Sequence, residues 1–348
     1  MLLLVTLAGV ASAFPAAAAL AASRPAIGVT GWVNPNAQEF SKLGGSGIST
    51  YRAQLNWSEV EVQPGERNWQ PFDTLVAHAA AGRVRVLPVL LGSPAWAAAR
   101  PQNPPLLAAR SAFLRFARDA AARYGRGGTF WAAHPELPAM APTHWQVWNE
   151  PNLPVYWNDR PDAREYVALL KVTRAAVLAG DPTAKITLAG LPESRLGIRA
   201  DIYLRQIYAV AGAKRLFDVV ALHPYADRPA GVLAVVKRAR RSMARAGDAR
   251  KPVWVTEIGW STGGLPSPFT TSERGQANYL RQLLAAFRRM RGSQRIGLLV
   301  WFSVSDRLPR DGEKDWWAIH TGLFGLDGAP KPAWAILSDY AGGRSASS

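Results

Sequence analysis

Eight short apolar runs alternate with stretches of helical spacing, and this alternation limits the folds open to the chain more than any other feature. The runs lie at 27–30, 47–52, 83–91, 145–148, 185–189, 219–222, 253–256 and 296–302. Between them, 72–81, 111–124, 162–178, 202–210, 232–244 and 272–290 repeat their apolar residues at helical intervals. Thr270 with Glu273 has the spacing of a capping box. Strands buried on both faces read as continuous Val/Leu/Ile runs, and alternation with helices implies parallel pairing through right-handed crossovers. A chain of 348 residues that is 48% hydrophobic has the apolar mass for one large core. The expected fold is therefore α/β, a single (β/α)8 TIM barrel over residues 24–342. An open doubly wound sheet is the alternative, but no Gly-rich phosphate loop follows the first strand.

The ends of the chain read differently. Residues 1–23 carry no charged side chain, have an apolar centre and offer Ala-x-Ala sites at 11–13 and 19–21, the pattern of a secretory signal without its basic start. Secretion or association with the cell envelope is the expectation, with an uncleaved anchor as the alternative. No later segment has the ~18 unbroken apolar residues of a spanning helix, and "GGRSASS" makes 343–348 a flexible tail. The formal charge of +16 points to an anionic cell-envelope polymer or acidic polysaccharide. The densest basic cluster, Lys237 to Arg241 with Arg245, has the spacing of a solvated helix face rather than a nucleic-acid site. With no cysteine, thiol chemistry and disulfides are excluded. Histidines 78, 134, 144, 223 and 320 form no close ligand pair, and no Gly-x-Ser-x-Gly elbow is present, so neither a metal nor another cofactor is expected.

In a barrel of this kind chemistry sits where strands end. The second run ends at Arg52, the fourth leads to Asn149 and Glu150, the sixth to His223 and Tyr225, the seventh to Glu257, and the eighth contains Trp301. Two carboxylates at strand ends of one barrel suit acid/base or nucleophile-plus-acid work on a glycosidic bond. One must hold a proton while the other stays ionised; Arg52 could keep one charged, and burial among aromatics could raise the pKa of the other. Strand parity places Gln146, Trp148 and Glu150 on one face, and Val253, Val255 and Glu257 on another.

"WNEPN" at 148–152 and "VTEIGW" at 255–260 resemble the paired signature of the clan A glycoside hydrolases, families 39 and 5 especially. The resemblance runs from Arg52 to Trp334. It implies a retaining enzyme on a (β/α)8 barrel, with Glu150 as general acid/base and Glu257 as nucleophile. It further implies that Asn149 bonds the sugar 2-hydroxyl, that Arg52 holds the nucleophile ionised, and that His223 and Tyr225 line the site and contact the nucleophile. Trp301 resembles the tryptophan that floors the cleavage subsite. "LLGSPAW" after the third run lacks the histidine of many family 5 enzymes, which favours the family 39 pattern. Retention requires carboxyl groups ~5 to 5.5 Å apart.

Fourteen tryptophans suit a saccharide cleft, since sugar rings stack on aromatic faces. Trp57, Trp96, Trp148, Trp157, Trp260, Trp301, Trp316 and Trp317 follow strand ends. Taken singly each is more simply core packing, Trp301 and Trp96 aside. Trp96, Trp148, Trp260 and Trp301 are expected to bind substrate together with Arg52, Asn149, His223 and Tyr225. Two function classes follow: a retaining hydrolase of an oligo- or polysaccharide, and an inactive carbohydrate-binding barrel.

Overall fold

The computed structural model describes residues 25–342, so the secretory signal expected at 1–23 and the flexible tail expected at 343–348 lie outside the described residues. Strand β1 (Ala26–Thr30) leads to α1 (Ala37–Gly45), whose start is fixed by a capping box between Asn36 and Glu39. There follow β2 (Thr50–Asn56), α2 (Trp57–Val60), α3 (Gln70–Ala81), β3 (Arg85–Leu91), α4 (Arg110–Tyr124) and α5 (Thr129–Ala133). Next come β4 (His144–Val147), α6 (Ala163–Gly180) capped by Asp162, β5 (Lys185–Thr187), β6 (Leu191–Pro192) and α7 (Ala200–Ala209). The remainder is β7 (Val220–His223), α8 (Pro229–Arg245), β8 (Val253–Ile258), α9 (Glu273–Gln294), β9 (Ile296–Phe302) and α10 (Pro332–Gly342). Helix α9 is capped by Ser272, which accepts from Gly275 N–H, and not by the Thr270 box that the spacing predicts. Among the described residues no helix is long and apolar enough to cross a membrane.

All ladder pairs are parallel, in the order β5-β4-β3-β2-β1-β9-β8-β7-β6. The sheet curls until its two ends meet at one isolated bridge, Thr187 to Val219, where Leu188 N–H donates to the Val219 carbonyl at 3.0 Å. The closed eight-stranded barrel is thus realised as a nine-stranded curl with an incomplete seam. The cause lies in the fifth predicted run, which breaks after Thr187. Ala189 N–H turns to the Tyr166 hydroxyl at 2.8 Å, and Gly190 leaves room for His223: a side chain at Gly190 would put its Cβ 1.9 Å from His223 Nε2. Gly190→Ala must displace that imidazole, a strain of about 1–3 kcal/mol. A fall in the thermal midpoint with unchanged helix content is the expected result.

Packing identifies the inside of the curl. Strands β3 and β9 are separated by two others, yet Leu87 packs with Leu298 and Val300, with Trp254 against them. These contacts cross the concave side. Arg52 is the register partner of Leu87 and shares its face, so a cation stands inside the barrel, 2% exposed. The larger core fills the space between the sheet's convex side and the helices.

Candidate active site

Arg52 lies within β2, not at its end, and every bond from its guanidinium reaches another strand or the turn that follows one. Nε donates to Gln146 Oε1 at 2.7 Å, Nη2 to Asn149 Oδ1 at 2.8 Å and Nη1 to Glu257 Oε1 at 2.6 Å. Gln146 is held in turn by the Leu188 carbonyl at 2.9 Å. Burying a guanidinium is tolerable only when its donors are matched in this way. Tyr225 Oη donates to the second oxygen of Glu257 at 3.1 Å, and both oxygens of that carboxylate are therefore fixed.

Two backbone departures aim the acids, and both overturn the parity expected from sequence. After β4 ends at Val147, Trp148 and Glu150 adopt left-handed φ values of 69° and 44°. Each is a conformation that costs a side-chain-bearing residue roughly 1 kcal/mol or more. The twist sends Trp148 outward, turns Asn149 to Arg52 and brings Glu150 to the cleft. In β8 the pairing with β9 shifts between Val255 and Ile258. Val253 and Val255 belong to the outer core while Trp254 lies inside, and the irregularity returns Glu257 to the concave side.

Glu150 Oε1 lies 2.7 Å from His223 Nδ1. One oxygen of Glu150, one of Glu257 and a ring nitrogen of His223 all lie within 4.8 Å of one another. Burial raises the Glu150 carboxyl to about 7, against the opposing pull of Arg52. Burial also lowers His223 to about 3, so its imidazole is neutral. Its Nδ1 either donates to ionised Glu150 or accepts from the protonated acid. Tyr225 is pushed well above the ordinary phenol value by burial and by Glu257, and it stays a donor.

The cleft above these groups encloses about 1000 Å³. Arg52, Asn149, Glu150, Tyr225 and Glu257 line it. His223 is fully buried and does not line the cleft; its Nδ1 meets Glu150 and lies 3.6 Å from Glu257 Oε2, so it acts through the two carboxylates. The four tryptophans expected to bind substrate do not line it. Trp148 is buried against Phe113 of α4 and donates to the Tyr156 carbonyl at 3.1 Å. Trp301 alternates with Phe302, so it faces the helix layer beside Trp260, which packs on Tyr279 of α9. Trp96 packs edge-on to Trp57 and donates to the Val62 carbonyl at 3.1 Å. Trp57 and Trp157 are buried as well.

The aromatic lining comes from elsewhere. Phe302 takes the place expected of Trp301, with Trp32, Phe269, Trp316 and Trp317 around it. Trp32 meets Phe302 with ring centroids 5.2 Å apart, and Trp317 lies 5.4 Å from Tyr225 and 4.6 Å from Phe269. The inward parity of β9 carried the signal for Phe302; Trp32 had none beyond its nearness to the first strand. Trp301→Ala should cost about 3–5 kcal/mol of stability, as a large buried deletion does. Trp317→Ala should leave the thermal midpoint almost unchanged and raise KM roughly tenfold through lost ring stacking. Thermal melts beside saturation kinetics separate the two.

The sequence from 128 to 315 matches the glycosyl hydrolase catalytic core family, more than half of the chain. The chain belongs to that family. No curated protein matches this catalytic core. Among solved structures it resembles a family 39 glycoside hydrolase from Bacteroides cellulosilyticus, with a TM-score of 0.66 and 21% identity over 92% of this chain and 64% of that one. A monomeric β-xylosidase from Caulobacter crescentus gives a TM-score of 0.68 and 19% identity, covering 92% of this chain and 68% of the other. A family 5 glycoside hydrolase from Bifidobacterium longum gives 0.65 and 14%, with coverages of 91% and 78%. The catalytic core therefore spans about two thirds of the first two neighbours' lengths, and at these identities the likeness speaks for the fold. Its family and fold agree with the clan A resemblance carried by 148–152 and 255–260.

Proposed function

We propose that this catalytic core is a retaining glycoside hydrolase acting on an oligo- or polysaccharide, on a (β/α)8 barrel in which β5 and β6 together make one interrupted strand. The observation that carries the reading is the pair itself. Glu150 and Glu257 approach within 4.8 Å, the close spacing of a double displacement and short of the 6.5–9.5 Å that an inverting enzyme leaves for water. Their environments also differ in the required sense. Burial keeps a proton on Glu150 to about pH 7, while Glu257 faces Arg52 and Tyr225.

In the first step Glu257 attacks the anomeric carbon as Glu150 passes its proton to the departing glycosidic oxygen. A glycosyl ester on Glu257 results. In the second, Glu150 takes a proton from water, which displaces Glu257 and restores both groups. Asn149 is oriented by Arg52 and offers its amide Nδ2 to the sugar 2-hydroxyl. The test is a panel of 2-fluoroglycosides and epoxide glycosides followed by peptide mapping. A sugar adduct on Glu257 is expected, with product of retained anomeric configuration. Turnover with inverted product would exclude the mechanism.

A further inference from the structure

The acid pair divides the cleft into two unlike halves. Glu257 stands on β8 next to β9, and the rim beyond the ends of β9 and β1 supplies the aromatic residues Trp32, Phe302, Trp316 and Trp317. Glu150 follows β4, and the rim on its side is built by the loop from β6 to α7, with Glu193, Arg195 and Arg199. A leaving group departs toward the acid that protonates it. The arginine half is thus the leaving-group half, given the hydrolase reading above.

The carboxylates of that rim are each paired with an arginine. Glu193 is held by Arg238 at 3.1 Å and Arg199 at 3.5 Å, and Asp201 by Arg199 at 2.9 Å and Arg205 at 3.1 Å. Asp227 has Arg228 at 3.8 Å. Of the two arginines of that rim that line the cleft, Arg199 is thus committed to carboxylates and Arg195 is left over. Arg195 is exposed, lines the cleft and forms no ion pair with any described residue. Asn152, fully buried, ties the loop down by donating to the Pro192 and Ile198 carbonyls at 3.0 and 2.7 Å, so Arg195 stands on an anchored loop.

We propose that the glycan carries an anionic substituent on its leaving-group side, a carboxylate or a sulfate ester, received by Arg195. An exposed guanidinium already committed to a carboxylate has little to offer a ligand, whereas an uncommitted one can form the paired N–H bonds that planar or tetrahedral anions accept. The overall charge of +16 draws such polymers to the molecule without choosing among them. Arg195 makes the choice at the cleft.

The test uses the full chain carrying Glu257→Gln, so that ligands survive, and titrates xylan, β-glucan and galactan, each beside its carboxymethyl and sulfate derivatives, at 0.15 M salt. At least one derivative should bind more tightly than its neutral parent. Adding Arg195→Gln should weaken that binding roughly tenfold or more, the worth of a charged hydrogen bond. Adding Arg205→Gln removes the same charge outside the cleft lining and should leave it within twofold. The carboxymethyl and sulfate arms tell which anion is preferred. Equal effects of the two arginine variants, no effect of Arg195→Gln, or no binding of any derivative would overturn the proposal. Labelling of Glu257 is scored separately: an adduct there together with equal variants keeps the hydrolase and discards the anion site.

Discussion

Glu257→Ala and Glu257→Gln are both expected to lower kcat by roughly 10^4-fold or more, because neither side chain can attack the anomeric carbon. The two should differ in stability. Alanine leaves Arg52 buried without its anion, and removing one partner of a buried pair costs about 3–5 kcal/mol. Glutamine keeps an oxygen for the Arg52 Nη1 bond that now spans 2.6 Å, so its thermal midpoint should lie well above that of the alanine variant. Chromogenic assays with thermal melts on both variants check this. Activity retained in folded Glu257→Gln would remove the nucleophile from its role.

Glu150→Ala should split by substrate. Natural glycosides, whose leaving oxygen needs a proton, should lose roughly 10^2- to 10^4-fold, the usual worth of general acid–base catalysis. Aryl glycosides with good leaving groups form the glycosyl ester without that proton; their turnover should then stall at the ester and be restored by azide. The pH profile gives a second readout. The acid form of Glu150 is the working form for the first step, and burial raises its pKa to about 7, so kcat/KM should fall as pH rises through about 7. In Glu150→Ala with activated substrates that basic limb should vanish. An unchanged limb would assign it to another group.

The order of elements was legible because a parallel α/β chain announces its strands as apolar runs. Residues 296–302 are a strand as read, and 83–91 holds β3 within it. The local departures were not legible, since they come from contacts between distant segments. Nothing near 185–189 announces that His223 needs the space of Gly190. Parity failed at Trp148 and Glu257 for a related cause: the turn after β4 and the shifted pairing of β8 override the period of two beside each carboxylate. Arg52, Asn149, Glu150, Tyr225 and Glu257 were found together because polar groups closing apolar runs are conspicuous. Trp316 and Trp317 line the cleft as expected, but the other six tryptophans named from sequence misled for the opposite reason. A bulky ring next to a strand end serves the helix interface as well as a cleft, and only the side it faces tells which.

Arg52 has a consequence for how this molecule can change. In many enzymes the reactive group is a local liability, and its removal makes the fold firmer. Here one guanidinium joins β2 to the turn after β4 and to β8 through the same carboxylate that is proposed to attack the sugar. The reactive anion is a structural tie. A lineage drifting toward a mere sugar-binding role could not simply truncate Glu257; it would have to keep an accepting oxygen there, as glutamine does, or exchange the cation, the amide and the acid in concert.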